Sequence, residues 1–132
     1  MQQFSVEREV ALEPQQAWDR LTDWPRHGDH VPLTRIRVTD DGFVARTGIG
    51  MFAFDDPMTI VLTEPPRLCR LVKTGRVIRG DAELRVVPHG ARGSRVTWTE
   101  TIGVRGVPDW AGGLVRWSGR LLFGRVLDRL LA

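Results

Sequence analysis

One polar segment of the chain carries side chains that could do chemistry. The segment TDWPRHGDHVP, residues 22–32, places His27 and His30 three positions apart with Asp29 between them. Imidazole and carboxylate groups at this spacing could ligate a metal ion, form an acid/base pair or line a polar turn. A metal site needs three or four converging ligands, and the remaining histidine, His89, lies far away in the chain. We therefore predict that no metal ion binds at His27, Asp29 and His30.

Two charged residues interrupt apolar patterns that predict strands. Arg8 lies among the alternating apolar residues of segment 4–12, and Glu100 falls within the alternation of Val96, Trp98 and Ile102. An unpaired charge on the apolar face of a strand costs several kcal/mol. Each of the two charges must therefore have a partner or reach solvent at a strand end.

Large apolar side chains form a third candidate group. They could line a pocket for a small molecule, because such pockets are built mainly from hydrophobic and aromatic residues, and methionine adapts to irregular shapes. An ordinary core would select the same residues, so both interpretations stay open. The candidates are Phe52, Phe54, Met58, Trp98, Trp110, Leu114, Trp117 and Leu121.

The elements that must position these residues follow from hydrophobic periodicity. Residues 4–12 alternate with the period of a half-buried strand, and EPQQAWDRL then predicts a short helix that ends near Trp24 and Pro25. From Thr34 to Gly103, turn signals divide the chain into six further strands. In this interpretation FVARTGIGMFAF is one strand, and the following Asp-Pro pair is a turn signal.

The last segment predicts a long helix that begins near Pro108. On a wheel of about 100° per residue, one apolar stripe covers its first half, and we expect this stripe to face the sheet. Beyond Gly124 the apolar side differs, which predicts a bend or a second contact surface. The stripe consists of Trp110, Leu114, Trp117 and Leu121, and the second set of Leu122, Phe123, Val126, Leu127 and Leu130.

Composition limits the class of protein. The 132 residues, 42% of them hydrophobic, predict one domain over residues 1–132. Neither a signal region nor a membrane-spanning run is visible, which predicts a cytoplasmic protein. Cys69 is the single cysteine, so an intramolecular disulfide and a cysteine-based zinc site are excluded. The net charge is only +3, with acids interspersed among the arginines, which argues against a nucleic-acid partner. No motif indicates a cofactor.

The order of elements resembles that of the START-like superfamily (SRPBCC), in its polyketide cyclase/dehydrase branch. The likeness covers nearly the whole chain and is carried by EPQQAWDRLTDWPRHGDHVPLT, RTGIGMFAFDDPM, TEPPRLCRLVKTGRVIRG and SRVTWTET. It implies an α+β helix-grip fold, in which a curved seven-stranded antiparallel sheet wraps around a long C-terminal helix. Two short helices would lie between strands 1 and 2. The resemblance further implies a cavity for lipids, polyketides or other apolar molecules.

The resemblance also assigns places to the candidate residues. The segment with His27 and His30 would form a short helix and loop over the cavity mouth, where either histidine could gate entry. The first and last strands would be neighbours, so Arg8 and Glu100 would form an ion pair on the inner face. Trp98 and Trp117 would look into one pocket.

Three functions are compatible with these expectations, since one fold hosts both enzymes and carriers. The first is binding of a small hydrophobic or amphipathic ligand, without a cofactor. The second is a cyclase or dehydratase, for which His27, His30 and Glu100 are the candidate acid/base groups. The third is an interaction protein that uses the second half of the final helix as a homodimer contact or a weak membrane-surface contact.

Overall fold

The computed structural model describes residues 1–132 and contains seven strands, three α-helices and two 3₁₀ turns. The strands are β1 Gln2–Val10, β2 Thr34–Val38, β3 Gly42–Thr47, β4 Phe54–Glu64, β5 Leu68–Thr74, β6 Ile78–His89 and β7 Gly93–Val104. The helices are α1 Pro14–Leu21, α2 Trp24–Asp29 and α3 Gly112–Leu130, and the 3₁₀ turns are Gly50–Phe52 and Asp109–Ala111.

All seven strands form one antiparallel sheet in the order β1-β7-β6-β5-β4-β3-β2. The sheet curls into a half-barrel around α3, and α1 and α2 lie between β1 and β2 in the chain. The predicted helix-grip architecture is therefore confirmed. None of the helices is both long and apolar enough to cross a membrane.

Local sequence explains the short helices. Pro14 occupies the first turn of α1, and a capping box between Glu13 and Gln16 satisfies backbone donors at its start. The predicted end near Trp24 is wrong, because α1 ends at Leu21 and Trp24 begins α2. Pro25 stands in the first turn of α2, where a proline needs no backbone donor.

The segment predicted as one strand over FVARTGIGMFAF is interrupted. Strand β3 ends at Thr47, and Gly48 and Gly50 adopt φ values of 107° and 58°, which break the strand before β4 begins. Asp56 and Pro57 are not a turn, because both lie inside β4 and pair with β3. As a residue of β4, Asp56 has its side chain on the inner face of the sheet.

Helix α3 packs closely on β1 through small residues. A Cβ atom built on Gly119 would stand 2.5 Å from the buried Phe4 ring, so any other residue would force this ring to shift. On the wheel, Gly119 and Val126 lie on the side roughly opposite Trp117. The buried face is thus continuous along α3, and the predicted change of face at Gly124 is wrong.

Candidate functional site: a cavity with a buried charge cluster

A cavity of about 460 Å³ lies between the inner face of the sheet and α3. Of its 25 lining residues, 17 are hydrophobic. The lining residues come from all seven strands, from α2 and α3 and from the turns next to them. Helix α3 contributes the large residues Leu114, Leu122 and Phe123 and, between them, the small residues Val115, Ser118 and Gly119, whose small volume leaves space open. A cavity of this size is suited to a small organic molecule.

Three ionisable side chains meet in the wall of this cavity. The Lys73 ammonium lies 2.8 Å from Asp56 Oδ2 and 3.2 Å from Glu100 Oε1. All three side chains are buried, with Glu100 only 1% exposed. Lys73 is the only lysine among the 19 basic residues of the chain. By contrast, the arginines that pair with carboxylates on the strands do so at the exposed surface, as Arg46 does with Asp55.

Strand register explains why these three residues converge. Lys73 on β5 pairs with Gly80 on β6, and Glu100 on β7 pairs with Ala82 on β6. Because β6 presents only a glycine and an alanine at these positions, the long lysine side chain can reach across it to Glu100. Asp56 approaches the same ammonium group from β4, on the other side of β5.

The cluster changes the proton affinity of its members. Burial raises the pKa of Glu100 above its ordinary value, Lys73 offsets part of this effect, and nearby Asp56 raises the pKa further. Burial alone would lower the pKa of Lys73, but the two carboxylates outweigh it and raise the pKa instead. One ammonium group therefore faces two carboxyl groups, and Glu100 holds a proton more readily than an ordinary glutamate does.

Three polar atoms of cavity-lining residues have no partner of good hydrogen-bond geometry within the protein, although the Trp98 indole lies near enough to Glu100 to lower the pKa of that carboxyl group. The three atoms are Asp56 Oδ1, Glu100 Oε1 and Trp98 Nε1. Glu100 Oε1 is within ion-pair distance of Lys73, but the contact lacks hydrogen-bond geometry. Buried polar atoms are nearly always hydrogen-bonded in folded proteins. Two acceptors and one donor in residues of the cavity wall thus lack good hydrogen bonds within the protein.

Aromatic rings form the wall next to the cluster. Trp98 stacks on Phe123 with ring centroids 5.6 Å apart, and the imidazole of His27 lies 5.9 Å from the Trp98 ring. His27 Nε2 is 2.7 Å from the Leu21 carbonyl oxygen, and burial lowers the pKa of this histidine. His27 therefore belongs to the cavity wall in its neutral form.

The two polar residues predicted to act with His27, Asp29 and His30, do not join it in this wall. Asp29 is exposed and His30 is partly exposed, and neither lines the cavity. Because His27 Nε2 already contacts a backbone carbonyl, that nitrogen is engaged within the protein. The absence of a metal ion at His27, Asp29 and His30 stays a prediction.

The predicted ion pair between Arg8 and Glu100 is wrong. Glu100 pairs in register with Phe4, whereas Arg8 pairs with Val96, four positions further along β1. Four residues of a strand span about 13 Å, too far for a contact. Arg8 instead donates a hydrogen bond of 2.7 Å to Asp128 on α3, and both side chains reach solvent.

Only part of the predicted apolar lining surrounds the cavity. Trp98, Phe54, Met58 and Leu114 do line it. The others point away from it, since Trp110, Trp117 and Phe52 are 88%, 62% and 83% exposed and Leu121 is also exposed. The expected orientation of the helix stripe is therefore wrong. The reason is physical: Val115, Ser118 and Gly119 on the inner face of α3 are too small to mark that face, and the large residues Trp110, Trp117 and Leu121 lie on the outer side.

The predicted contact surface on the second half of α3 is wrong as well. Val126, Leu127 and Leu130 are buried in the protein's own core, and Phe123 packs against Phe4 and Trp98. A homodimer or membrane-surface contact cannot use residues that are buried in this way. Any contact through the helix would have to use its exposed stripe.

Sequence reasoning missed Lys73 and Asp56. The signal for Lys73 was present, because Cys69, Leu71 and Lys73 alternate on one face of β5 as the inner residues of β7 do. Asp56 likewise alternates with Phe54 and Met58, but its neighbour Pro57 favoured interpretation as a turn. The alternation that singled out Glu100 would have found all three charges.

Solved structures share this fold at low sequence identity. A START superfamily protein from Mycobacterium smegmatis superposes with a TM-score of 0.78 at 12% identity, covering 99% of this chain and 97% of that chain. A conserved protein from Geobacillus kaustophilus gives 0.73 at 14% identity, covering 97% and 94%. The Zhui aromatase/cyclase from Streptomyces sp. R1128 gives 0.61 at 16% identity, covering 98% and 86%. At these identities the likeness shows the fold alone.

The sequence comparisons give one match. No curated protein matches the chain at a significant level. The model of the family described as polyketide cyclase / dehydrase and lipid transport matches residues 1–132.

Proposed function

The chain belongs to the polyketide cyclase/dehydrase and lipid-transport family, and from this premise we propose that it binds a small hydrophobic or amphipathic molecule in the cavity between the sheet and α3. The observation that carries the proposal is the combination of an apolar cavity of about 460 Å³ with a buried charge cluster in its wall. An apolar body would be held by the hydrophobic lining, and a polar group would be oriented by the cluster.

Burial of the charges supports a binding role for the cluster. A lysine and two carboxylates inside a protein contribute little net stability, because removing charges from water costs as much as their attraction returns. Hydrophobic residues of similar volume would fill the same space at no such cost. The unpartnered oxygen atoms of Asp56 and Glu100 argue in the same direction, since a bound polar group would complete their hydrogen bonding.

A variant that fills the cavity tests this proposal. Val115 lines the cavity from the inner face of α3, whereas Leu121 lies on the exposed outer face of the same helix. We expect the neutral dye N-phenyl-1-naphthylamine to bind saturably to the unmodified protein and to the control Leu121→Trp, and to lose binding in Val115→Trp. Equal dye binding in Val115→Trp and Leu121→Trp would contradict the proposal. Native mass spectrometry of protein purified from its own host would then identify a retained ligand.

A second candidate function is proton transfer to or from a carbonyl compound bound in the cavity, as in a cyclase or dehydratase. The observation that favours it is a buried carboxyl group with a raised pKa, Glu100, next to Lys73 and Asp56. A carboxyl group whose pKa is raised and that lies within reach of a ligand can act as a general acid or base. His27 lines the same cavity, whereas His30 does not.

Deuterium exchange tests this second function without knowledge of the natural substrate. A medium-chain β-diketone carries acidic C–H bonds that exchange with solvent once a base removes the proton. We expect exchange in heavy water to be faster with protein than in buffer, to fall in Glu100→Gln and to persist in His30→Gln. Exchange at the rate of buffer, with the diketone bound, would leave binding as the function and exclude this catalysis.

A further inference from the structure

The hydrogen-bonding capacity around the cluster is specific in kind. Glu100 and Trp98 are two positions apart on β7 and share its buried inner face. Side chains at such positions of a strand are neighbours on the same side of the sheet. The indole N–H of Trp98 is a donor only, and Glu100 Oε1, which already forms an ion pair with Lys73, is an acceptor when the group is ionised. Asp56 Oδ1 adds a further acceptor on the other side of Lys73.

Few functional groups match one free donor and free acceptors at the same place. A hydroxyl group can donate one hydrogen bond and accept another. A ligand carboxylate or ether only accepts hydrogen bonds, so it leaves the oxygen atoms of Asp56 and Glu100 unpaired. An ammonium group only donates, so it leaves the Trp98 N–H unpaired. Each unpaired buried group weakens binding, because its desolvation is not compensated.

Charge also disfavours an anionic ligand. The ammonium group of Lys73 already faces both Asp56 and Glu100. An added ligand carboxylate would meet a site in which carboxyl groups outnumber the ammonium group, and burial strengthens the repulsion. A neutral ligand avoids this cost.

We infer that the cavity selects a neutral hydroxyl-bearing molecule, an alcohol, phenol or enol with an apolar body, whose hydroxyl donates to a carboxylate oxygen of Glu100 or Asp56 and accepts from Trp98 Nε1. This inference rests on the proposed binding function and specifies its ligand class. It excludes fatty acids and other anionic amphiphiles as preferred ligands.

A matched set of eight-carbon compounds tests the inference on the full chain. The set is 1-octanol, octyl methyl ether, octanoate and octylammonium, each measured by displacement of N-phenyl-1-naphthylamine at neutral pH. We expect 1-octanol to bind about fivefold more tightly than the ether, which is the effect of one neutral hydrogen bond. It should bind at least about tenfold more tightly than octanoate. Octylammonium should also bind more weakly than 1-octanol, because it cannot accept from Trp98.

Variants then locate the effect. Trp98→Phe keeps an aromatic ring but removes the donor, so the preference for alcohol over ether should shrink to about twofold or less. The matched control Trp117→Phe changes an exposed indole outside the cavity and should leave the preference unchanged. The comparison among the four compounds uses unmodified protein, so it stands even where a variant fails to fold.

The outcomes separate this inference from the proposed function. If octanoate or the ether displaces the dye as well as 1-octanol does, the hydroxyl inference is overturned and the cavity remains a binding site. If the dye does not bind and no compound is taken up, the binding function and the inference both fail.

Discussion

Replacing Lys73 by methionine isolates the energetic role of the buried cluster. Methionine has a similar length and no charge, so the change leaves Asp56 and Glu100 buried without their cation. Removing one partner of a buried ion pair costs about 3–5 kcal/mol in unfolding free energy. We expect a loss in this range, measured by urea unfolding at neutral pH and read from the midpoint at constant m-value.

The loss of unfolding free energy in Lys73→Met should depend on pH. Without Lys73 the pKa of Glu100 rises further, since the attraction that offset burial is gone. A carboxyl group with a raised folded-state pKa stabilises the protein at low pH, and this contribution is lost as pH rises from the unfolded value of 4.5 through the folded value. The cost of Lys73→Met should therefore be smaller at about pH 5 than at about pH 8.

An exposed pair on the same protein provides the control. Arg8 and Asp128 form a contact of 2.7 Å at the surface, and such pairs contribute about 0–1 kcal/mol. Arg8→Met should thus cost far less than Lys73→Met. Adding Glu100→Gln to Lys73→Met should cost less than the sum of the two single changes, because the residues interact directly. Equal costs for Arg8→Met and Lys73→Met, or strict additivity, would refute the assignment of a buried ionised cluster.

Three further predictions concern the core, the helix contact and the cavity wall. Trp98→Ala should lower the unfolding free energy by about 3–5 kcal/mol, whereas Trp117→Ala on the exposed stripe should change it by less than about 1 kcal/mol. Similar losses of unfolding free energy in the two variants would place both indoles in one core. Gly119→Ala should destabilise by about 1–3 kcal/mol by crowding the Phe4 ring of β1. Gly113→Ala, whose Cβ would meet only the Arg116 side chain at an ordinary contact distance, should stabilise by up to about 1 kcal/mol. Thermal unfolding that reverses this order would contradict the close approach. Because the pKa of His27 is lowered, its contribution to stability is present above the unfolded value of 6.5 and is lost as pH falls through the folded value. His27→Gln should therefore flatten the loss of unfolding free energy between about pH 7 and 5. An unchanged slope would place this histidine in water.

The sequence was sufficient for the architecture because alternation and turn signals are local. The inner residues of β7 alternate without a break, so Glu100 could be recognised as a charge on an apolar face. The partner of Glu100 could not be identified in the same way, since it depends on how far Lys73 reaches across β6. Arg8 illustrates the same limit, because its partner Asp128 lies 120 positions away on another element.

The predicted orientation of α3 is wrong for a different reason. A hydrophobic pattern identifies where large apolar side chains lie, and a core helix normally buries them. Here the inner face borders a cavity and β1, and the close approach requires Gly119 rather than a large residue. The stripe with Trp117 therefore remains outside. An open cavity removes the signal on which the prediction depends.

The most direct test of the account follows the indole N–H signals in the ¹⁵N–¹H spectrum of labelled protein during titration with 1-octanol. The chain has 5 tryptophans, so each indole can be assigned by single substitution to phenylalanine. If the cavity binds an amphipathic molecule at the charge cluster, the Trp98 signal should shift saturably, while those of the exposed Trp110 and Trp117 stay in place. A Trp98 signal that does not move, or shifts confined to Trp110 and Trp117, would contradict the account.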